Sequence, residues 1–253
     1  MKILIVGDSC IDVFVYGDVT RLSPEAPVPV FNPLRKTEND GMARNVANNV
    51  EALESVIYTI TNKNSIRKVR YVEDKSNQLI LRVDEHDYCD RIDDDTLSSI
   101  QDNKCHITMT GTVDVDAIII SDYCKGFLEE EDIEFICENN DNVFVDTKKK
   151  LGKWLNFATY VKINDLEYKN SFETIDNISK EKLIITQGKN GCIYNDEVFP
   201  VEEVTVKDVS GAGDTFLASL AVNYVKSNDI KKSIKFAQKC ATLVVQKHGV
   251  VTV

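Results

Sequence analysis

No stretch of this sequence approaches the roughly 20 consecutive apolar residues that a membrane-crossing helix needs. The opening Met1-Lys2-Ile3-Leu4-Ile5-Val6 imitates the start of a signal peptide, but Gly7-Asp8 closes the run too early. Pairs at C-x-x-C spacing are absent, and Cys10, Cys89, Cys105, Cys124, Cys137, Cys192 and Cys240 make an odd count. That argues against a disulfide framework and a zinc knuckle, and the reducing cytoplasm is the compartment that fits. Histidine is scarce, and His86, His106 and His248 show no ligand spacing, so they read as structural or surface residues. Basic clusters are few beyond Lys148-Lys149-Lys150 and pairs such as Lys231-Lys232, and a net charge of −11 would repel a phosphate backbone. No nucleic acid and no membrane is therefore expected as a partner, and solubility is the plain reading of the acidity.

What is present points to an α/β protein. With 43% hydrophobic residues and no low-complexity linker, residues 1–253 can form one large domain. Lys2 to Val6 reads as a buried strand with a functional loop after it, placing Asp8 and Asp12 near a sheet edge. From Val13 to Phe31 loose alternation is interrupted by Pro24, Pro27 and Pro29, as in strands outside a main sheet. Ile66 to Val72 and Gln78 to Val83 flank the polar turn Glu73 to Asn77 and predict a hairpin. Residues 13–33 and 66–84 together make a candidate β lid. Val46, Ala47, Val50 and Leu53 have helical spacing. Farther on, apolar strands at Ala117 to Ile120, Val143 to Val145, Tyr160 to Ile163 and Leu183 to Thr186 alternate with helical stretches, which means βαβ units and a mainly parallel sheet in a three-layer sandwich. A hairpin at Cys192 to Phe199 and helices over Ala212 to Val225 and Ile230 to Gln246 complete the reading. Asp93-Asp94-Asp95 suits a helix start better than a metal site.

The octet Asp208-Val209-Ser210-Gly211-Ala212-Gly213-Asp214-Thr215 lies between a strand-like Val204 to Val206 and a helical run. Small residues let backbone N–H groups approach a ligand, and the helix start adds partial positive charge, so the segment favours an anion. A carboxylate there would repel phosphate unless it had a task, which makes Asp214 a candidate base for a hydroxyl nucleophile. The alternative is a plain Gly-rich turn. The P-loop pattern G-x-x-x-x-G-K-[ST] is missing.

The octet resembles a sequence pattern of the PfkB, or ribokinase-like, carbohydrate kinases. Other segments resemble the same family in the same order, most of all its kinases of D-glycero-D-manno-heptose 7-phosphate: Val6-Gly7-Asp8 through Asp12, Tyr16-Gly17, Leu22 to Val30, Ser121 to Gly126, Val145 to Lys148, Asn164 to Glu167 and Thr186 to Gly191. The resemblance implies that Gly211, Ala212 and Gly213 form an anion hole and that Asp214 is the catalytic base. It implies that Asp12, Gly41 and Asn45 hold the sugar, with Asp122 and Lys125 contacting it from the central loop. ATP would lie against Lys148, Asn164, Glu167, Thr186, Gly188 and Gly191, with Mg2+ organised through water by Asn164 and Glu167 and a monovalent cation, K+, beside Asp208. A small-molecule sugar phosphate is the implied partner, and a homodimer through the lid is left open.

Two departures from the family bear on this. Its Gly-Gly before the first large helix is Gly41-Met42 here, and a methionine does not share glycine's freedom at φ > 0, so a stiffer hinge is expected. Between Leu53 and Ile66 the chain is expected to lack a strand and helix, shortening the sheet at one edge. Lys68, Arg70 and Arg82 match basic residues of the heptose kinases. Alternation puts Lys68 and Arg70 on one strand face, as gripping a phosphate would require, or as a charged edge strand would show. The rival functions are a kinase of another sugar or nucleoside, and a catalytically weak sugar- or nucleotide-binding protein.

Overall fold

Ile3 and Ile5 point to one face of a sheet and Leu4 and Val6 to the other, and none of the four is exposed. Their strand, β1 (Lys2–Gly7), is therefore covered on both sides. The computed structural model describes residues 1–107, 111–247 and 249–253, so His248 lies outside the described residues. β2 (Ser9–Leu22), β3 (Pro29–Met42), β5 (Ile66–Glu73) and β6 (Leu79–Glu85) make one sheet in the order β3-β2-β5-β6, with β2 and β5 parallel. The main sheet has the order β14-β13-β12-β11-β10-β9-β1-β4, built from β4 (Val56–Thr61), β9 (Ala117–Asp122), β10 (Val143–Thr147), β11 (Tyr160–Asn164), β12 (Leu183–Thr186), β13 (Cys192–Tyr194) and β14 (Glu197–Phe199). Pairing is parallel from β4 to β12, and only β13 and β14 run antiparallel.

Three layers result. On the Ile3 and Ile5 face pack α1 (Ala43–Ala52), α5 (Ala212–Ser227) and α6 (Ile230–Val244), through Val46, Phe216, Leu220 and Ile234 among others. The Leu4 and Val6 face is covered by α3 (Glu130–Glu138) through Ile133 and Ile136, with α2 (Asp94–Ser98) and α4 (Asp165–Asn170) alongside. Asp93 caps α2, its side chain accepting from the Thr96 N–H, so the triple aspartate is a helix start, and no metal-binding cluster of His, Cys, Asp or Glu occurs among the described residues. No described helix is long and apolar enough to cross a membrane.

Two expectations are corrected. A strand does occupy the segment after Leu53: β4 pairs in parallel with β1 and forms that edge of the sheet. Its alternating Val56-Ile57-Tyr58-Thr59-Ile60-Thr61 suits a half-buried edge, and the chain passes straight into β5 through residues 62–65. Val204 to Val206, by contrast, is not a strand: it has no ladder partner, and Val206 is half exposed. The alternating stretches Lys104–Ile107 and Gly111–Asp114 pair as β7 and β8, a hairpin that periodicity over four residues was too short to signal.

Met42 caps α1 at φ 59° and ψ −132°, a conformation in which a Cβ is crowded. The methionine takes the glycine-like backbone all the same, because its side chain is buried against the cluster containing Cys10, Ile66 and Leu4. Substituting it separates the two effects. Met42→Ala loses the packing and keeps the strain, whereas Met42→Gly loses the packing and relieves the strain. Met42→Gly is therefore expected to be the more stable variant by about 1–3 kcal/mol in urea unfolding. Equal or greater stability of the alanine variant would show that no strain is stored there.

Candidate active site

The strongest local feature is the start of α5. Gly211 precedes the helix at φ +78°, and a Cβ on it would lie 2.8 Å from Asn45 Nδ2, so both conformation and space call for glycine. The first turn of a helix leaves N–H groups without intrahelical acceptors and carries partial positive charge. One of these groups, the Ala212 N–H, donates a long 3.3 Å bond back to the Val209 carbonyl. Asp208 braces the turn: its Oδ1 accepts from the Ser210 N–H at 2.9 Å and its Oδ2 from the Gly249 N–H at 3.1 Å.

Asp214 lies in that first turn and is buried. Asn45 Nδ2 donates to its Oδ2 and the Tyr123 hydroxyl to its Oδ1, each at 2.8 Å. Burial pushes its carboxyl above the usual carboxylate range; the two hydrogen bonds work against that, and the nearby Asp146 adds to it. Next to it sits a cation that sequence reading missed. Lys162 Nζ is 3.0 Å from the place a Cβ on Gly213 would occupy, so glycine is what lets the ammonium approach the helix start. Lys162 is buried and ion-paired to Asp146 Oδ2. Asp146 Oδ1 accepts from Lys148 Nζ at 2.9 Å, and Lys148 also pairs with Glu167 Oε1. A row of alternating charge, Lys162, Asp146, Lys148, Glu167, thus runs from α5 to α4. Burial raises the Asp146 carboxyl, but Lys162 and Lys148 outweigh it and hold it below its ordinary value. Burial likewise lowers the Lys148 ammonium, and Asp146 and Glu167 more than reverse this. A lone lysine inside the apolar run Val161-Lys162-Ile163 was the signal in the sequence.

The lid supplies the opposite wall. Asp12, Lys68, Arg70, Arg82 and Asp84 share one face, as the pairings Asp12 with Lys68, Lys68 with Asp84 and Arg70 with Arg82 require. Most of the cations there already have partners: Arg70 pairs with Asp12, Nε and Nη2 of Arg82 each donate to Asp84 at 2.7 Å, and Lys125 pairs with Asp87. Lys68 is the exception. It is buried, has no carboxylate in ion-pair range among the described residues, and lies 5.3 Å over the Tyr123 ring; burial lowers its ammonium. Gly41 leaves room for Asp12, since a Cβ would meet Asp12 Oδ2 at 2.3 Å.

Asp122 does not present a carboxylate to this space. It is fully buried and bonded to the Thr147 hydroxyl and to Lys149 Nζ at 3.1 and 3.2 Å, and it shapes the loop after β9. Asp8 shapes the same loop, accepting from the N–H groups of Tyr123, Lys125 and Phe127.

On the other side, Asn164 and Glu167 form a capping box at the start of α4: the Asn164 N–H and Nδ2 each donate to Glu167 at 2.8 Å. With both oxygens engaged, Glu167 suits a Mg2+ that keeps its waters and is carried by nucleotide phosphates, not one caged by protein ligands. The Thr186 hydroxyl donates to the Ile163 carbonyl, and Gly188 and Gly191 shape the turn after β12, where the Gln187 N–H donates to the Gly191 carbonyl at 2.7 Å. A groove of about 880 Å³ lies beside β14 and α6, lined by Val198, Pro200, Val204, Thr242 and Leu243 among others.

The family described as pfkB family carbohydrate kinase matches residues 66–253, about three quarters of the chain. The bifunctional protein HldE of Rhodopseudomonas palustris is 29% identical over 99% of this chain and 61% of its own length, and that of Helicobacter pylori strain J99 is 28% identical over 98% and 63%. The chain thus spans about three fifths of the length of these curated relatives. Arabidopsis thaliana ribokinase, solved in complex with ribose and ATP, superposes with a TM-score of 0.69 at 15% identity, covering 98% of this chain and 93% of that one, which shows a shared fold.

The charge row makes a stability prediction. Asp146→Asn would leave the Lys162 ammonium buried without its counter-charge, at a cost of about 3–5 kcal/mol. Because the folded Asp146 carboxyl titrates below its unfolded value, its contribution is present above the ordinary carboxylate range and lost as pH falls through the depressed value. Urea unfolding at a series of pH values should show the variant weaker at pH 7 and less sensitive to acid. Equal midpoints at pH 7 would mean the pair adds nothing.

Proposed function

As the chain belongs to the pfkB family of carbohydrate kinases, we propose that it transfers the γ-phosphoryl group of ATP to a sugar hydroxyl, with Asp214 as the base. The observation that carries this is a buried carboxylate at the positive end of α5, held by Asn45 and Tyr123 and flanked by the Lys162 ammonium. Asp214 would take the proton of the acceptor hydroxyl as the oxygen attacks. The amides at the start of α5 and Lys162 would stabilise the charge on the transferring group. Magnesium, when bound with the nucleotide, would supply charge neutralisation of the phosphates. Lys148 would stand at the phosphates, Asn164 and Glu167 would orient the metal's waters, and the turn with Thr186, Gly188 and Gly191 would border the nucleotide. A potassium ion beside Asp208 would use the lone pairs that the Ser210 and Gly249 amides leave. Asp12, Gly41 and Asn45 would hold the sugar, with Arg70 orienting Asp12.

The acceptor we propose is the anomeric hydroxyl of D-glycero-D-manno-heptose 7-phosphate. Support comes from the likeness to HldE proteins and from Lys68, a buried lid cation with no ion-pair partner among the described residues. Lys125 and Arg82, each bound to one carboxylate, border the same space. Seven free cysteines suit a cytoplasmic enzyme. On the outer face of the lid, Leu81 and Val83 are 54% and 37% exposed, and a second copy's lid would cover them, which sedimentation equilibrium tests.

Two experiments test the reading. Asp214→Asn should lower turnover by about 10²–10⁴-fold. It should leave stability at pH 7 equal or higher, since ionising a group whose folded pKa is raised costs folding free energy. Turnover within a few-fold of wild type removes Asp214 from the mechanism. For the acceptor, heptose 7-phosphate and free heptose are compared in wild type, Lys68→Ala and Arg82→Ala. Losing a charge-assisted hydrogen bond of about 1.5–3 kcal/mol lowers affinity for the phosphorylated sugar about 10- to 100-fold and hardly changes that for the free one. Equal losses for both sugars would mean the cations only support the lid.

A further inference from the structure

Tyr123 stands where the lid, the base and the phosphate side meet. Its hydroxyl donates to Asp214 Oδ1 at 2.8 Å, and two ammonium groups lie over its ring, Lys68 Nζ of the lid at 5.3 Å and Lys148 Nζ of the charge row at 5.1 Å from the centroid. Its backbone N–H is fixed by Asp8 Oδ2 at 2.6 Å. The contacts come from four separate stretches of the chain, so the phenol has little freedom to turn away. A carboxylate oxygen accepts at two lone-pair positions, so one remains on Oδ1 for an acceptor hydroxyl while the phenol occupies the other.

We propose that Tyr123 is a positioning residue of the phosphoryl-transfer reaction: its hydroxyl holds Asp214 ionised and oriented toward the acceptor, and the two lysines over its ring fix that hydroxyl in place. This rests on Asp214 being the base. The need for such a donor follows from burial. Out of water the carboxylate is biased toward its neutral form, which cannot accept a proton, and a hydrogen bond to the charged form offsets that bias. Other groups facing the pair are Asp146 from β10, which opposes ionisation, Lys162 from β11, which favours it, and Cys10 from β2, a neutral thiol pushed up to about 12. The phenol itself titrates well above its ordinary value, by burial first and the charges of Asp214 and Asp146 next, so it stays a donor across the working range.

The test is the pH dependence of kcat/KM for the acceptor sugar, which reports the base of the free enzyme. Tyr123→Phe keeps the ring and its cation contacts and removes only the donor. Its acid limb is expected to move up by about one pH unit, so that below the limb activity falls about tenfold while KM for ATP is unchanged. Replacing Tyr123 with a monofluorinated tyrosine, a stronger donor of the same shape, should move the limb down. A merely structural role would lower activity equally at every pH. An unmoved limb in both variants, with Asp214→Asn inactive, overturns the proposal and leaves the base assignment standing. If Asp214→Asn turns over at nearly the wild-type rate, both fall.

Discussion

A carboxylate is kept out of water at the positive end of a helix, and the surrounding structure is arranged around the cost of doing so. Burial alone would bias Asp214 at the start of α5 toward its neutral form. Asn45 and the Tyr123 hydroxyl offset this from two sides, and Lys162 does so from below. Each helper needs its own support. Lys162 is buried and requires Asp146, and Asp146 is shared with Lys148, which in turn leans on Glu167. Within the row every buried charge has an opposite charge beside it, and the row brings two ammonium groups near the place where an anion would meet the helix.

The parallel sheet makes this arrangement possible. Asp146 at the end of β10 and Lys162 near the end of β11 are Cα partners across adjacent strands, so the ion pair follows from register. Asn164 closes β11 and caps α4, Asp122 closes β9, and α5 opens at the same edge. Functional groups gather at the carboxyl ends of the strands because that is where the loops and helix starts emerge.

The lid is tied to this edge by short links and not by a flexible linker. β3 runs into α1 through Met42, and the Ala43 N–H donates to the Asp8 carbonyl at 2.9 Å. Asp8 also organises the loop bearing Tyr123, so the root of the lid and the hydrogen-bond partner of Asp214 share one buried residue. A methionine at a glycine-like hinge conformation exchanges backbone ease for packing, and it makes the lid's root part of the hydrophobic core.

The sequence by itself determined the features whose causes are local. A buried first strand, an amphipathic α1, the hairpin that begins at Ile66, and the glycine-led start of α5 with Asp214 in its first turn were all legible, because each rests on periodicity or on a few consecutive residues. Tertiary structure decided the rest. The Asn45 and Tyr123 bonds to Asp214 span 169 and 91 residues, and no spacing rule reports such pairs. Lys162 reaches Gly213 only because β11 ends beneath α5. Asp122 turned out to be bound to Lys149 and Arg70 to Asp12, since a charged residue's role depends on which opposite charge folding places beside it. The same holds for Val56 to Thr61 and Val204 to Val206, similar short β-branched runs of which one found a ladder partner in β1 and the other found none.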